Sequence, residues 1–107
     1  MCSSTLYASI LFLAVILAIG CKSVQTEDRD SPVVIYTIGD STMANKKDPD
    51  KNPEHGWAQV LQPFFKENIT VINKAVNGRS TRSFINEKRW DSVYKKLKKG
   101  DYVFIEF

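Results

Sequence analysis

Three short apolar runs, rich in β-branched and aromatic residues, constrain the fold of this chain more than any other feature. They occupy residues 33–38, 69–76 and 101–107. Runs of this length and composition predict strands that are buried on both faces, as in a parallel sheet. The stretches between them are long enough for the crossovers that parallel strands require. The sequence therefore predicts an α/β fold in which right-handed crossovers join parallel strands.

The first intervening stretch predicts an amphipathic helix. Its large apolar residues fall at i, i+3, i+4, i+7 and i+8, and they are Trp57, Val60, Leu61, Phe64 and Phe65. Pro63 interrupts this pattern, because proline removes a backbone hydrogen bond inside a helix. We therefore expect a kink near Gln62. Residues 77–83 are polar and predict a loop.

The second intervening stretch predicts a helix with a basic, solvated face. Helical spacing recurs at Trp90, Val93, Tyr94 and Leu97. Gly100 suits a position just past a helix end. Lysine and arginine residues gather here, and they are Lys88, Arg89, Lys95, Lys96, Lys98 and Lys99. The net charge of the whole chain is only +3, and no broad basic field with interleaved aromatics is present, so no nucleic-acid partner is expected.

The N-terminal residues predict export. Residues 6–19 are apolar or aromatic except Ser9. This run is shorter than the roughly 18–20 residues of a membrane-spanning helix and fits a secretory signal. A small residue before Cys21 resembles a bacterial lipoprotein signal, which predicts lipidation of Cys21 and anchoring at the bacterial cell envelope. The alternative is an ordinary cleaved signal, a secreted protein and a free thiol at Cys21.

The predicted division of the chain is therefore a signal over residues 1–21, a polar tether over residues 22–32 and a folded domain over residues 33–107. The two cysteines are Cys2 and Cys21, and both lie outside the predicted domain. The domain therefore has no cysteine for a disulfide framework or a metal cluster.

Two polar loops follow the first two predicted strands, with the sequences Gly-Asp-Ser-Thr at residues 39–42 and Asn-Gly-Arg-Ser at residues 77–80. The carboxyl ends of parallel strands meet at one edge of a sheet, where ligands bind. Ser41 in a tight turn there is a candidate nucleophile whose own N–H also stabilises an oxyanion. Gly78 brings a second backbone N–H close, unobstructed by a side chain. The alternative is a strand followed by an Asp/Ser helix cap.

The same residues carry a family resemblance. Residues 37–43 (TIGDSTM) match the first block of the SGNH (GDSL-type) hydrolases. Residues 77–84 (NGRSTRSF) resemble the second block in its rhamnogalacturonan acetylesterase form. Residues 56–59 (GWAQ) and 100–105 (GDYVFI) fit that branch in order and spacing.

This resemblance implies a flavodoxin-like three-layer α/β sandwich with a parallel sheet, of which residues 33–107 hold the first three strands. It implies a serine esterase that removes acetyl groups from a pectic polysaccharide without a cofactor or metal. Ser41 is then the nucleophile, and the N–H groups of Ser41 and Gly78 are oxyanion donors. Asp40 belongs to the motif and shapes the turn.

Two elements of the family pattern are absent from residues 1–107. They are the third block, Gly-x-Asn-Asp, which supplies an oxyanion asparagine, and a later Asp-x-x-His, which supplies the base. We therefore expect the 107-residue chain to be an N-terminal part of such an enzyme and inactive by itself, because a serine without a base is a poor nucleophile. The alternatives are an inactive truncated remnant and a flavodoxin-like small-ligand binder. Asp40 disfavours the binder, since its charge repels phosphate.

The sequence indicates the roles of four further residues less directly. His55 is the only histidine, and it lies in a Pro-rich loop away from the family's histidine position, so an exposed loop residue is expected rather than a base. Arg79 and Arg82 fit either contact with an anionic pectic chain or solvation of the loop. Trp57 fits a helix core face better than a sugar-stacking platform.

Overall fold

The computed structural model describes residue 28 and residues 30–107. The predicted signal, including Cys21, lies outside the described residues. Within the part that is described, no helix combines the length and apolarity needed to cross a bilayer.

The centre of the domain is a three-stranded parallel sheet. Its strands are β1 (Val33–Gly39), β2 (Ile69–Asn73) and β3 (Tyr102–Glu106), in the order β2-β1-β3. The register places Gly39 opposite Glu106, so β1 and β3 end side by side. The predicted α/β class and all three strands are confirmed.

The middle strand β1 is the most buried, because it has a neighbour on each side. Residues from Ile35 to Gly39 are all buried. Tyr36 and Ile38 project to one face of the sheet and pack with Phe84 and Val93 from the following helices. This face is completed by partly buried apolar side chains, which are Val34, Ile72, Val76, Trp90, Leu97 and Val103.

Two short helices cover that face, α1 (Thr81–Asn86) and α2 (Arg89–Tyr94). The predicted helix around Trp90 and Val93 is confirmed as α2. The predicted loop over residues 77–83 is wrong in its last residues, because α1 begins at Thr81. Ser80 and Ser83 form a reciprocal capping box, in which each side chain bonds the other residue's backbone N–H. Their polarity therefore marks a helix start rather than a loop.

The predicted amphipathic helix between β1 and β2 is wrong. Two 3-10 turns, Trp57–Val60 and Gln62–Phe64, occupy this stretch instead. Pro63 lies in the first turn of the second piece, where its missing N–H costs nothing, whereas a continuous helix would need that donor. Phe64 is 80% exposed, so the periodic apolar residues do not form one buried face.

Gln62 shows what replaces the helix. Its side-chain Nε2 donates to the Ile69 carbonyl at 2.9 Å, and its Oε1 accepts from the Val71 N–H at 2.7 Å. The carboxamide thereby satisfies two backbone groups on the outer edge of β2. Unpaired edge groups are a liability in sheets, and Gln62 covers this one.

β2 ends at Asn73, earlier than the predicted end at Val76. The chain nevertheless continues beside β1, since the Lys74 N–H donates to the Thr37 carbonyl at 2.8 Å and the Val76 N–H to the Gly39 carbonyl at 3.0 Å. This extension carries residues 77–80 to the same edge of the sheet as the end of β1.

Candidate active site

Three segments meet at the carboxyl edge of the sheet. They are the turn that follows β1, the loop that follows β2 and the last residues of β3. Because all strands are parallel, this convergence follows from the topology alone. The two candidate loops predicted from the sequence are brought to one edge.

The turn after β1 is built around Asp40. The Asp40 carbonyl accepts from the N–H groups of Met43 at 3.3 Å and Ala44 at 3.0 Å. Its carboxylate Oδ1 accepts from the Thr42 N–H at 3.0 Å and the Thr42 hydroxyl at 2.9 Å. These two bonds, the backbone one first, hold the pKa of Asp40 below its ordinary value, because they stabilise the ionised carboxylate. Asp40 therefore folds the turn, as expected from the motif.

Gly39 permits β3 to approach this turn. A Cβ at Gly39 would lie 2.1 Å from the Glu106 carbonyl oxygen, which is too close for any side chain. That same oxygen accepts from the Asp40 N–H at 3.2 Å. A residue other than glycine here would push the end of β3 away from the nucleophile turn.

Ser41 lies at the exposed tip of the turn. Its hydroxyl makes no hydrogen bond with any other residue that the structure describes, so it is free to meet a substrate. Its carbonyl oxygen accepts from the Lys46 Nζ. Gly78 has a φ of +70°, a left-handed conformation that suits glycine, and open space where a Cβ would stand. The assignment of both as oxyanion donors stays a prediction.

Lys46 connects the two loops. Besides the Ser41 carbonyl, its Nζ donates to the Asn77 Oδ1 at 3.2 Å. Asn77 is the residue before Gly78, so a single ammonium group spans the nucleophile turn and the loop of the second predicted oxyanion donor. Sequence reasoning missed Lys46, because nothing in its local pattern sets it apart from the neighbouring Lys47.

Glu106 is a second residue that sequence reasoning missed. Its Oε1 lies 2.8 Å from the Thr42 hydroxyl, whose one proton is shared between Glu106 and Asp40, and its Oε2 accepts from the Trp57 indole N–H at 2.5 Å. The Trp57 backbone N–H also donates to the Thr42 carbonyl at 3.0 Å. Trp57 is therefore half-buried beside the site instead of lining a helix core. The position of Trp57 in the GWAQ block, residues 56–59, was the sequence signal that it belongs to the site.

Asn73 is the third missed residue, and it ties the end of β2 to the turn. Its Nδ2 donates to the Met43 carbonyl at 2.9 Å and to the Asn45 Oδ1 at 2.7 Å. Its Oδ1 accepts from the fully buried Thr37 hydroxyl at 2.8 Å and the Ala75 N–H at 3.1 Å. A polar residue closing an apolar strand was the only sequence signal.

The remaining polar candidates are engaged elsewhere. His55 is exposed, and its Nε2 lies 3.1 Å from the Pro49 carbonyl oxygen of its own loop, consistent with an exposed loop residue. Arg79 forms an ion pair with Glu87, Nε to Oε1 2.9 Å. Hydrogen bonds from Arg89 and then Arg79 lower the pKa of Glu87. The charge of Arg79 is thus paired with Glu87 of the same chain, while Arg82 is exposed.

Over residue 28 and residues 30–107, no three histidine, cysteine, aspartate or glutamate side chains gather into a group that can hold an ion.

The chain has sequence relatives among known proteins. No family model matches the chain. The rhamnogalacturonan acetylesterase RhgT of Bacillus subtilis is 37% identical over 76 residues, which is 71% of this chain and 32% of the relative. The rhamnogalacturonan acetylesterase of Emericella nidulans is 37% identical over 73 residues, or 68% of this chain and 26% of the relative.

A solved structure agrees. The crystal structure of YxiM from Bacillus subtilis superposes with a TM-score of 0.64 at 30% identity, and the match covers 70% of this chain and 22% of that one. YxiM is also a sequence relative, described as an uncharacterized esterase. The chain spans about a third or less of the length of the relatives it matches.

The parallel sheet, the Gly-Asp-Ser turn and these relatives place the chain among the SGNH (GDSL-type) hydrolases, a class of carboxylic ester hydrolases. Within that class it belongs with the rhamnogalacturonan acetylesterase-like branch.

Proposed function

We propose that the protein is a serine esterase that removes acetyl groups from a pectic polysaccharide of the rhamnogalacturonan type. The observation that carries the proposal is the exposed Ser41, which stands in a tight turn at the carboxyl edge of a parallel sheet with its hydroxyl unengaged in the described residues. The names of the relatives support the acetyl and rhamnogalacturonan parts.

In this mechanism the Ser41 Oγ attacks the acetyl carbonyl carbon. Negative charge then develops on the carbonyl oxygen, and the N–H groups of Ser41 and Gly78 donate to it. Collapse of the tetrahedral intermediate releases the sugar hydroxyl and leaves an acetyl group on Ser41. Water hydrolyses this acetyl-enzyme and restores the free hydroxyl.

The proton of Ser41 requires a base. The Nε2 of His55, the one histidine of residues 1–107, lies 3.1 Å from the Pro49 carbonyl oxygen of its own loop, and within the described residues His55 makes no hydrogen bond to Ser41. The resemblance assigns the base and a third oxyanion donor to family blocks that residues 1–107 do not contain. Activity is therefore proposed for the whole protein to which these residues belong, and residues 1–107 alone are proposed to be inactive.

The test is acetate release by the product of the complete gene. Acetylated rhamnogalacturonan and acetylated xylan are offered side by side, and the first is expected to be the better substrate. Ser41→Ala is expected to abolish release, whereas the matched Ser92→Ala, which alters an exposed serine on α2, retains it. Equal rates for Ser41→Ala and the wild type would refute the assignment of the nucleophile.

Export is a separate part of the proposal. A polysaccharide substrate lies outside the cell, and residues 1–21 carry the pattern of a secretory signal. We propose Cys21 as the lipidated residue. Cys21→Ala should release the protein from the cell envelope into the medium, and an unchanged distribution would contradict lipid anchoring.

A further inference from the structure

In the described residues, Lys46 is the only residue whose side chain hydrogen-bonds to both the nucleophile turn and the Asn77–Gly78 loop. Its Nζ donates to the Ser41 carbonyl oxygen on one side and to the Asn77 Oδ1, 3.2 Å away, on the other. An ammonium group carries three donors, so one group can serve both loops at once. Hydrogen bonds from a charged donor are stronger than neutral ones.

Lys46 itself is held in place by its backbone. Its N–H donates to the Gln59 Oε1 at 2.9 Å. The preceding residue, Asn45, accepts from the Asn73 Nδ2 at 2.7 Å at the end of β2. Lys46 is half-buried, in contrast to the exposed Lys47. The ammonium group therefore projects from a fixed point and is not a freely solvated surface charge.

We propose that Lys46 is a positioning residue that fixes the nucleophile turn relative to the Gly78 loop, so that the N–H groups of Ser41 and Gly78 converge on one oxyanion. This inference rests on the proposed esterase function and deepens it. Lys46 acts through Ser41 and Asn77, and it touches no reacting atom in this role.

Lys46 limits the motion of the two loops relative to each other. The two loops leave different strands and are each short, but Gly78 carries no side chain that could anchor its own segment. An oxyanion stabilised by two donors requires both at hydrogen-bond distance simultaneously. A misplacement of about 1 Å can cost about 100-fold in rate, and loss of one oxyanion donor costs about 100- to 1,000-fold.

The expected effect of Lys46→Met is therefore a fall in kcat of about 10- to 100-fold with KM unchanged, because the substrate still binds while the transition state is less well stabilised. Lys46→Arg keeps the charge and the donors and is expected to recover part of the loss. Lys47→Met is the matched control. It removes the same charge one residue away from a side chain that is exposed and makes no hydrogen bond in the described residues.

A second variant approaches the same link from the other loop. Asn77→Ala removes the acceptor and leaves Lys46 intact. The proposal predicts a similar fall in kcat, and it predicts that the double variant loses no more than either single one, since both break one link. Additive losses would overturn the proposal. This variant also decides the question if Lys46→Met fails to fold.

The assay is 4-nitrophenyl acetate hydrolysis by the product of the complete gene, together with amide hydrogen exchange at Ser41 and Gly78. Faster exchange at both sites in Lys46→Met, with Lys47→Met unchanged, supports the proposal. Wild-type kcat and exchange in both Lys46→Met and Asn77→Ala overturn it. Retained activity in Ser41→Ala instead refutes the assignment of the nucleophile, and no activity in the wild type refutes the esterase function. In either case the exchange data still decide the role of Lys46.

Discussion

Replacing Gly39 by alanine should damage both the stability of the domain and the geometry of the site. The added Cβ would stand 2.1 Å from the Glu106 carbonyl oxygen, and contacts below 3.0 Å are not tolerated, so β1 and β3 must separate by about 1 Å. Overpacking of this kind costs about 1–3 kcal/mol. The same displacement strains the hydrogen bond from the Asp40 N–H to that oxygen, and this lowers the stability by about a further 1 kcal/mol. We expect the free energy of unfolding to fall by about 2–4 kcal/mol.

Urea unfolding measures this change. With an m-value of about 2 kcal/mol/M, the midpoint should shift down by about 1–2 M. A Trp90→Phe background leaves Trp57 as the only tryptophan within residues 1–107, and its indole donates to Glu106 at the end of β3. Displacement of β3 should therefore change the emission of folded Trp57 in Gly39→Ala.

Gly78→Ala is the matched control. An alanine Cβ there meets no atom within 4 Å, but φ is +70°, so about 1–2 kcal/mol is lost through backbone strain alone. Trp57 emission should stay at its wild-type value in this variant. Gly39→Ala with a free energy of unfolding within about 0.5 kcal/mol of the wild type, and with unchanged Trp57 emission, would refute the packing argument.

Three further predictions concern the core, the edge of β2 and the Asp40 turn. Phe84→Ala should lower the free energy of unfolding by about 3–5 kcal/mol, because Phe84 is fully buried, whereas the exposed Phe64→Ala should change it by less than about 0.5 kcal/mol. Gln62→Ala should cost about 1–3 kcal/mol in urea unfolding, since it removes two bonds to the β2 backbone, and a neutral result would contradict the edge role. Asp40 has a lowered pKa, so its ionised form stabilises the fold above the unfolded value of about 3.9, and that contribution is lost as pH falls through the lower folded pKa. The stability difference between the wild type and Asp40→Asn should therefore shrink below about pH 4, and a difference independent of pH down to about 2 would contradict this reading.

The sheet was predictable because its signals are local. Each strand is a continuous β-branched or aromatic run, and the order of elements dictates parallel pairing. The helix predicted over Trp57 to Phe65 failed because a tertiary contact overrode its periodicity: Gln62 binds the edge of β2, and Pro63 allows the break. Helix α1 was missed because its serine capping box reads as a polar loop.

The site was predictable only in its two loops. Ser41 and Gly78 follow strands whose carboxyl ends must meet, so topology places them at one edge. The residues that organise the edge bond across long sequence separations: 31 residues for Lys46 to Asn77, 64 for Thr42 to Glu106 and 30 for Asn73 to Met43. No local spacing encodes such contacts, and they become visible only in the folded chain.

Covalent trapping of Ser41 tests the central claim most directly. The product of the complete gene is treated with a fluorophosphonate, which reacts with activated serine nucleophiles, and its peptides are analysed by mass spectrometry. The adduct is expected on the peptide that contains Ser41, with loss of acetyl release in proportion to labelling. An active enzyme whose Ser41 stays unlabelled while another serine carries the adduct would contradict the account.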